Sequence, residues 1–421
     1  MQGGSVSSVG RVRRIFNQWG GTTATFFMYT HGSHDQCAGL FVALLPFIRE
    51  DLGLSYLQSG LLMSAYTITA GVSQFLGGWL GDRAARFLVM AIGLGGVGLS
   101  TLAIGFSASF YSLLAFLIVM GLFAGAYHPS ATSLVSGYFE ESKMGRVLSV
   151  HMMGGSLGFA LGPILGGIIA GVLGWRYAYI LLSLPALLAV AVAVFKFRKL
   201  ERLGTGVHTN ASLRRDQAIP LSPPKKLTLL QVLRPVAAIA ILSVLMQLVV
   251  GSAMAFIPLY LVSKYAIAPA YASMLVGIIR GGGMAGSLFG GWMSDRWGRI
   301  YAITLALFMT GPLLLLLTNL PFGIMLIIVF VIFGLFMQMR QATVQPFLML
   351  RTPQYLRSTV FGIYFGLSQE GQSLLQPAVG QMMDTFGVIN VTHVIAWISV
   401  GMSLIALSLL KQRKNSNYTA G

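Results

Sequence analysis

A ten-residue pattern, Gly-Gly-Trp-x-x-Asp-Arg-x-x-Arg, begins at Gly77 and again at Gly290, an offset of 213 residues. Both copies lie between long apolar segments. A second landmark repeats at almost the same interval, because Gly162-Pro163-x-x-Gly166 corresponds to Gln376-Pro377-x-x-Gly380 at an offset of 214. Two unrelated landmarks at one spacing indicate an internal duplication. The chain is therefore expected to fold as two similar halves.

The apolar segments between these landmarks are long enough to cross a membrane. Hydrophobic residues make up 55% of the 421 positions and charged residues only 9%, which is typical of an integral membrane protein. About 20 apolar residues span a hydrocarbon core of about 30 Å as a helix. Twelve spans are predicted, at 22–48, 56–80, 87–107, 110–138, 146–173, 176–196, 235–262, 270–293, 300–318, 321–349, 358–383 and 388–410.

These spans predict an all-α integral membrane fold with twelve transmembrane helices in two pseudo-symmetric six-helix halves. The halves are predicted at 22–197 and 235–410. A polar linker at 198–234 joins them, and tails at 1–21 and 411–421 flank them. We expect both tails and the linker to be cytoplasmic.

The net charge of +17 is distributed in a way that argues against a nucleic-acid partner. With both termini inside, 23 of the 28 Lys and Arg residues fall in cytoplasmic tails and loops, whereas only Arg49, Arg176 and Lys264 fall outside. Such an asymmetry follows the positive-inside rule. We therefore expect a multi-pass protein of the cell membrane, specifically a bacterial inner membrane. It would be a monomer in the lipid bilayer with a small-molecule substrate.

The repeated pattern resembles the Gly-x-x-x-Asp-Arg-x-Gly-Arg loop motif of the major facilitator superfamily. The second copy fits fully, whereas the first has Ala85 where the family has Gly. The resemblance implies a secondary transporter with rocker-switch alternating access, in which the motif holds the cytoplasmic side shut in one state. Alternatively, its arginines only enforce topology. The candidate gating residues in the two loops are Asp82, Arg83, Arg86, Asp295, Arg296 and Arg299.

The fifth span contains Gly158-x-x-x-Gly162-Pro163-x-x-Gly166-Gly167. This pattern resembles a signature of the antiporter branch of the same superfamily, and the resemblance favours export. Gly162 and Pro163 would let the helix bend while it seals the bundle, which adds them to the gating candidates. Ordinary packing of small residues is the alternative interpretation.

Ionisable residues at membrane depth are costly, by about 2.5 kcal/mol or more at a helix centre, and therefore indicate function. Asp35 lies in the first span beside His34, and His31 shares its helical face at the i, i+4 spacing. An imidazole titrates near neutral pH, so these residues could hold and exchange a proton. A fixed hydrogen bond between helices is the alternative.

His128 extends this candidate proton-coupling group from the fourth span, where it lies between Tyr127 and Pro129. His31-x-x-x-Asp35 together with Tyr127-His128-Pro129 resembles the fosmidomycin-resistance type of exporter in the superfamily. Better-known drug exporters usually have an Arg in the fourth span, which this chain lacks. His151 and His393 are expected near the two membrane edges, without a functional role.

The second half carries two arginines and one carboxylate at mid-span. Arg presents a donor fork suited to carboxylate, phosphate or phosphonate, so this half is expected to bind an anionic head group. Glu370 could neutralise one of the arginines. Glutamine stripes and an aromatic residue complete the predicted site, whose substrate-binding candidates are Arg280, Arg340, Glu370, Gln247, Gln338, Gln341, Gln369 and Tyr127.

The sequence therefore predicts a proton-coupled secondary transporter that exports a small polar or anionic organic compound. An organic-anion uptake symporter or an anion exchanger would use the same arginines. A non-transporting receptor or lipid-handling protein on the same fold is the alternative of another class. No nucleophile triad, metal-spaced cluster or nucleotide-binding loop is visible in the sequence, so we expect no enzyme activity, cofactor or metal.

Overall fold

The computed structural model describes residues 16–83, 86–139, 141–202, 231, 234, 236–353, 356, 360, 363–364 and 366–415. Helices and short turns make up this part of the chain, and no strand occurs within it. An all-helical arrangement is what a lipid environment demands, because each helix satisfies its own backbone hydrogen bonds. The predicted all-α fold is confirmed.

Each of the six spans predicted in the first half corresponds to one continuous helix. These helices are α1 (Gly21–Leu52), α2 (Tyr56–Arg83), α3 (Arg86–Ile104), α4 (Phe110–Tyr138), α5 (Glu141–Leu173) and α6 (Trp175–Arg202). Local sequence sets their ends: Ser109 and Ser112 form a reciprocal capping box at the start of α4. Gly53 adopts a left-handed conformation with φ of 61° at the end of α1.

The second half departs from one helix per span in two places. Its helices are α7 (Ala237–Ala255), α8 (Ile257–Tyr265), α9 (Pro269–Trp297), α10 (Arg299–Asn319), α11 (Ile324–Arg351), α12 (Gly371–Phe386) and α13 (Val388–Asn415). A π-helical turn at Gly366–Glu370 precedes α12. The seventh predicted span thus comprises α7 and α8, and the eleventh comprises the π turn and α12.

The break in the seventh span has a local cause. Pro258 occupies the first turn of α8, where its lack of an N–H group costs nothing, but it could not continue the hydrogen-bond ladder of α7. The chain therefore turns at Phe256, whose N–H bonds back to Ala253. The prediction of one continuous helix over 235–262 was wrong at this point.

Nine of the described helices are long and apolar enough to cross a membrane: α3, α4, α5, α6, α7, α9, α10, α11 and α13. The count of twelve spans remains a prediction for α1, α2 and the eleventh span. Polar residues lower the hydropathy of α1, which contains two histidines, a buried aspartate and an acidic end.

The two halves pack together at the end of the bundle opposite the repeated loops. Helix α2 contacts α12, and α5 contacts α9. Ser64 donates a hydrogen bond to the Ser373 carbonyl, and Ser273 donates one of 2.6 Å to the Ala43 carbonyl. Small residues permit this approach: a Cβ added at Gly60 would lie 2.5 Å from the Gln376 carbonyl oxygen. The predicted outer side of the bundle is therefore closed.

Asp384 joins the halves at this closed end. Its Oδ1 accepts a hydrogen bond of 2.9 Å from the Tyr56 N–H, and its Oδ2 accepts one of 2.8 Å from the Leu57 N–H. These N–H groups belong to the first turn of α2, where no carbonyl within the helix can satisfy them. A carboxylate is also favoured at this positive end of the helix dipole. A side chain of α12 thus caps a helix of the other half.

Replacing Asp384 with Ala should weaken the closed outer end, because removal of a helix cap costs about 0.5–2 kcal/mol. We expect the population open to the outside to rise about two- to thirtyfold. A Ser64→Cys reporter in a Cys37→Ser background would be labelled with a membrane-impermeant maleimide from the outer side. Its labelling rate should increase by the same factor.

Glu50→Gln supplies the control. It removes an exposed carboxylate at the end of α1, whereas the hydrogen bonds that cap Tyr56 and Leu57 of α2 are accepted by Asp384. The labelling rate of this variant should stay unchanged. Equal rates for Asp384→Ala and the unsubstituted chain would show that the cap does not hold the halves together.

Candidate functional site

The Asp35 carboxylate lies at the centre of a cluster of imidazole rings. His34 Nδ1 lies 2.7 Å from Oδ1, and His31 Nε2 lies 3.3 Å from Oδ2. His128 Nε2, from α4, lies 3.7 Å from Oδ1. Asp35 is only 4% exposed, so its charge must be compensated by these partners. The structure therefore brings together all four predicted proton-coupling residues.

Backbone carbonyls determine which nitrogen of each ring faces the carboxylate. The Nδ1 atom of His31 lies 2.9 Å from the His151 carbonyl, and Nε2 of His34 lies 3.3 Å from the Ala124 carbonyl. A carbonyl oxygen only accepts, so these nitrogens are the donors. A neutral His31 would then turn a lone pair toward Asp35. The same holds for a neutral His34, so its 2.7 Å hydrogen bond with Asp35 Oδ1 requires a proton between them, and the 3.3 Å contact of His31 is a second place where a proton can bind.

The cluster has one accessible edge. The His128 side chain is 38% exposed, whereas the His31 and His34 side chains are 4% and 1% exposed. The ligand atoms of His31, Asp35 and His128 lie within 4.8 Å of one another, a separation that a metal ion could also bridge. The 2.7 Å contact of His34 is a direct hydrogen bond, however, so we assign protons to the cluster.

His151 is a member of the cluster that the sequence did not reveal. Its ring stacks on His31 with centroids 4.3 Å apart, and its Nδ1 donates to the Phe27 carbonyl at 3.1 Å. His151 is 1% exposed and packs at the level of the cluster, and its place near the membrane edge stays a prediction. Its contact with His31 depends on the packing of α5 against α1, for which the sequence carries no local signal.

Glycines of α5 make this packing possible. A Cβ added at Gly155 would lie 2.5 Å from Asp35 Oδ2 and 2.6 Å from His31 Nε2. One at Gly162 would lie 2.6 Å from the Gln36 carbonyl oxygen. Gly162, next to Pro163, therefore allows α5 to pack closely against α1. This contact supports the interpretation of the Gly-Pro signature as ordinary packing of small residues. The gating role of Gly162 stays a prediction.

Tyr127 lies beneath the cluster. It is fully buried, its ring stacks on His34 with centroids 4.5 Å apart, and its hydroxyl lies 2.9 Å from Thr30 Oγ1. These contacts place Tyr127 against the His34 imidazole and Thr30. Its assignment to substrate binding stays a prediction.

Arg340 is enclosed in a polar network of the second half. Its guanidinium donates to the Ser243 carbonyl at 2.9 Å, to Ser243 Oγ at 3.0 Å and to Gln247 Oε1. Gln247 donates in turn to Gln372 at 2.8 Å. Arg340 is 2% exposed and Gln247 is 4% exposed. Their contacts connect α7, α11 and α12 in this conformation, and direct substrate binding by Arg340 and Gln247 stays a prediction.

Arg280 differs from Arg340 in the exposure of its side chain and in its contacts. Its side chain is exposed although it lies where α9 faces α5 of the other half. It makes no salt bridge with any side chain in the described ranges. Its guanidinium lies over the Phe159 ring of α5, which packs against Gly39, one helical turn from Asp35. Arg280 is therefore the arginine available to a ligand.

The structure describes the side chains of only some of the remaining substrate-binding candidates. Gln338 is half-buried on α11 opposite Gly283 of α9, and Gln341 is half-buried three residues further along α11. The side chains of Gln369 and Glu370 lie outside the described residues, although their backbone forms the π turn. Pairing of Glu370 with an arginine stays a prediction.

The gating candidates of the second repeat are solvent-exposed in this structure. The side chains of Asp295, Arg296 and Arg299 are exposed, and Arg296 lies over the Trp292 ring at 5.9 Å. Arg86 is half-buried at the start of α3, whereas the side chains of Asp82 and Arg83 fall outside the described residues. No salt bridge of Asp295 occurs within the described part of the chain.

A helical bundle of two repeated halves, with nine of the described helices long and apolar enough to cross a membrane, is typical of a multi-pass membrane protein. The sequence model of the Major Facilitator Superfamily matches residues 23–375. The chain belongs to this superfamily.

Three similar proteins place the chain within the superfamily. The "Probable hexose phosphate transport protein" of Chlamydia trachomatis serovar D is 26% identical over 290 residues, which cover 64% of this chain and 61% of that protein. The uncharacterised transporter YfnC of Bacillus subtilis strain 168 is 23% identical, with 91% of each chain covered. A bacterial homologue of the lysosomal transporter Spinster, in an inward-facing and occupied conformation, superposes with a TM-score of 0.73 at 14% identity, covering 93% of this chain and 96% of that one.

Gly155→Ala should destabilise the protein by about 1–3 kcal/mol, because the added methyl group would overlap the His31–Asp35 pair. Thermal unfolding of the purified protein in detergent measures this loss as a lower Tm. Gly401→Ala is the control, because a Cβ there would meet no atom within 4 Å. An unchanged Tm in both variants would show that α5 does not press against the cluster.

Proposed function

We propose that the protein is a proton-coupled transporter of a small organic anion that works by alternating access. One arrangement carries the proposal: Arg280 of the second half lies over the Phe159 ring of α5, and this ring packs against Gly39, one helical turn from the histidine-enclosed Asp35 carboxylate. The cluster around Asp35 can gain or lose a proton, and Arg280 can bind an anion. Their electrostatic interaction couples the two events.

An anionic substrate fits the charge of the site. Arg280 presents a donor fork without a carboxylate partner among the described side chains, and such a fork binds carboxylate or phosphate through two parallel hydrogen bonds. The Chlamydia relative is named for the transport of hexose phosphate, an organic anion. We therefore assign a phosphorylated or carboxylated organic compound as the substrate class.

The sign of the electrostatic interaction indicates how protons and anions are coupled. Loss of a proton from the cluster makes its net charge one unit more negative near Arg280, which adds repulsion to an incoming anion. Proton binding removes this repulsion and raises the affinity for the anion. Linkage is reciprocal, so a bound anion also raises the affinity for the proton. Proton and anion therefore bind to the same state, as symport requires.

The electrostatics thus favour the uptake symporter over the exporter that the sequence favoured. Antiport needs a substrate whose binding competes with proton binding. An anion bound beside Asp35 would instead raise the affinity of the cluster for a proton. The Gly-Pro signature of α5, which resembles the antiporter pattern, is accounted for by contact with α1. Export, in the manner of a fosmidomycin-resistance type protein, is the second candidate on the strength of that resemblance.

Alternating access is supported by the asymmetry between the two ends of the bundle. At the predicted outer end, Asp384 and the small residues of α2, α5, α9 and α12 hold the halves together. At the predicted cytoplasmic end, the charged residues of the second repeat are exposed. This arrangement fits an inward-open state, with both loop motifs forming the cytoplasmic gate in the opposite state.

Asp35→Asn should abolish transport driven by a pH gradient, because the amide cannot take up a proton at the cluster. Exchange of labelled for unlabelled anion across the membrane should persist, since it needs no net proton movement. Both rates would be measured in proteoliposomes with glucose 6-phosphate, gluconate and methylphosphonate.

Asp51→Asn is the matched control. It makes the same substitution at a carboxylate that pairs with Arg176 at 2.8 Å, away from the cluster. Driven transport by this variant should match that of the unsubstituted protein. Full pH-driven accumulation by Asp35→Asn would eliminate Asp35 as the coupling carboxylate.

A further inference from the structure

Arg280 is held in place by a ring of the opposite half. Its guanidinium carbon lies 5.4 Å from the centroid of the Phe159 ring. Arg280 belongs to α9, whereas Phe159 belongs to α5. A cation at this distance from an aromatic ring is attracted to the negative face of the π system. The contact is thus an electrostatic link between the halves at the anion site.

The Phe159 ring packs against a glycine of α1 near the proton cluster. A Cβ added at Gly39 of α1 would lie 3.3 Å from Phe159 Cδ1, so the absence of a side chain there makes room for the ring. Gly39 lies one helical turn from Asp35 on the same face, and Phe159 lies one turn from Gly155. Gly155 faces Asp35 and His31 directly. The ring therefore lies next to the cluster along the α1–α5 interface.

An aromatic partner leaves the arginine able to bind a ligand. A carboxylate partner would occupy the guanidinium donors and cancel its charge, as in a bidentate ion pair. The face of a ring stabilises the charge without accepting these hydrogen bonds. The donors of Arg280 consequently stay available for the oxygens of an anion, while the side chain is kept from moving freely.

We propose that Phe159 is the positioning residue of the anion site, which holds Arg280 beside the Asp35 cluster through a cation–π contact. This inference rests on the proposed function, because it assumes that Arg280 binds the transported anion. It adds that a residue of the first half determines anion affinity. The ligand class is the same: a phosphate, phosphonate or carboxylate group on a small organic compound.

Substitutions at Phe159 distinguish the contribution of the aromatic ring from that of side-chain volume. Phe159→Leu keeps an apolar side chain but removes the π face, and Phe159→Tyr keeps the π face. Glucose 6-phosphate, gluconate and methylphosphonate would each be tested for binding by thermal shift, and for transport as KM and kcat in proteoliposomes. Phe159→Leu should raise KM about three- to tenfold with kcat unchanged, the factor expected for one cation–π contact. Phe159→Tyr should restore the KM of the unsubstituted protein.

Arg280→Gln distinguishes failure of this inference from failure of the proposed function. If Arg280→Gln weakens anion binding at least tenfold but Phe159→Leu leaves KM unchanged, the anion site stands and the positioning role is overturned. Equal losses in Phe159→Leu and Phe159→Tyr would also overturn it, because they would indicate a packing role. Unchanged binding in Arg280→Gln, or binding of none of the three anions by the unsubstituted protein, would contradict both proposals.

Discussion

A carboxylate inside a membrane helix is the constraint on which the rest of this structure depends. Asp35 is almost completely buried, and an isolated charge there would be prohibitively costly. Compensation comes from imidazoles of α1 and α4, and from the carbonyls that fix the orientation of His31 and His34. Glycines in α5 are needed so that a third helix can enclose the same group. Much of the packing of the first half follows from enclosing one acidic side chain.

The second half carries two arginines at mid-span, Arg280 and Arg340, and their surroundings differ. Arg340 is enclosed by Ser243 and Gln247, which connect α7 with α11. The Arg280 guanidinium lies over the Phe159 ring, and the Arg280 side chain is exposed. A fixed cation therefore stabilises the half, while a second one lies at the junction with Asp35.

The sequence revealed the architecture because its signals are periodic and redundant. The duplicated pattern at Gly77 and Gly290 and the run of apolar segments indicated two helical halves of the Major Facilitator Superfamily, to which the chain belongs. The i, i+4 spacing of His31 and Asp35 likewise predicted their contact. The break at Phe256 was missed, since one apolar run gave no sign that Pro258 would start a new helix.

Contacts between distant helices were harder to predict. His151 and Asp384 carried no local signal, because their roles arise only when α5 packs on α1 and α12 packs on α2. The difference between Arg280 and Arg340 also depends on neighbours in three dimensions. Spacing along the chain shows which residues share a helix face, but not which faces meet.

The central claim is that proton and anion bind to the same state. A direct test is the change of external pH when glucose 6-phosphate, gluconate or methylphosphonate is added to weakly buffered proteoliposomes with no imposed gradient. The account predicts that the transported anion makes the external medium more alkaline, because each anion enters with a proton. External acidification on addition of the anion would show exchange of anion for proton and would contradict the account.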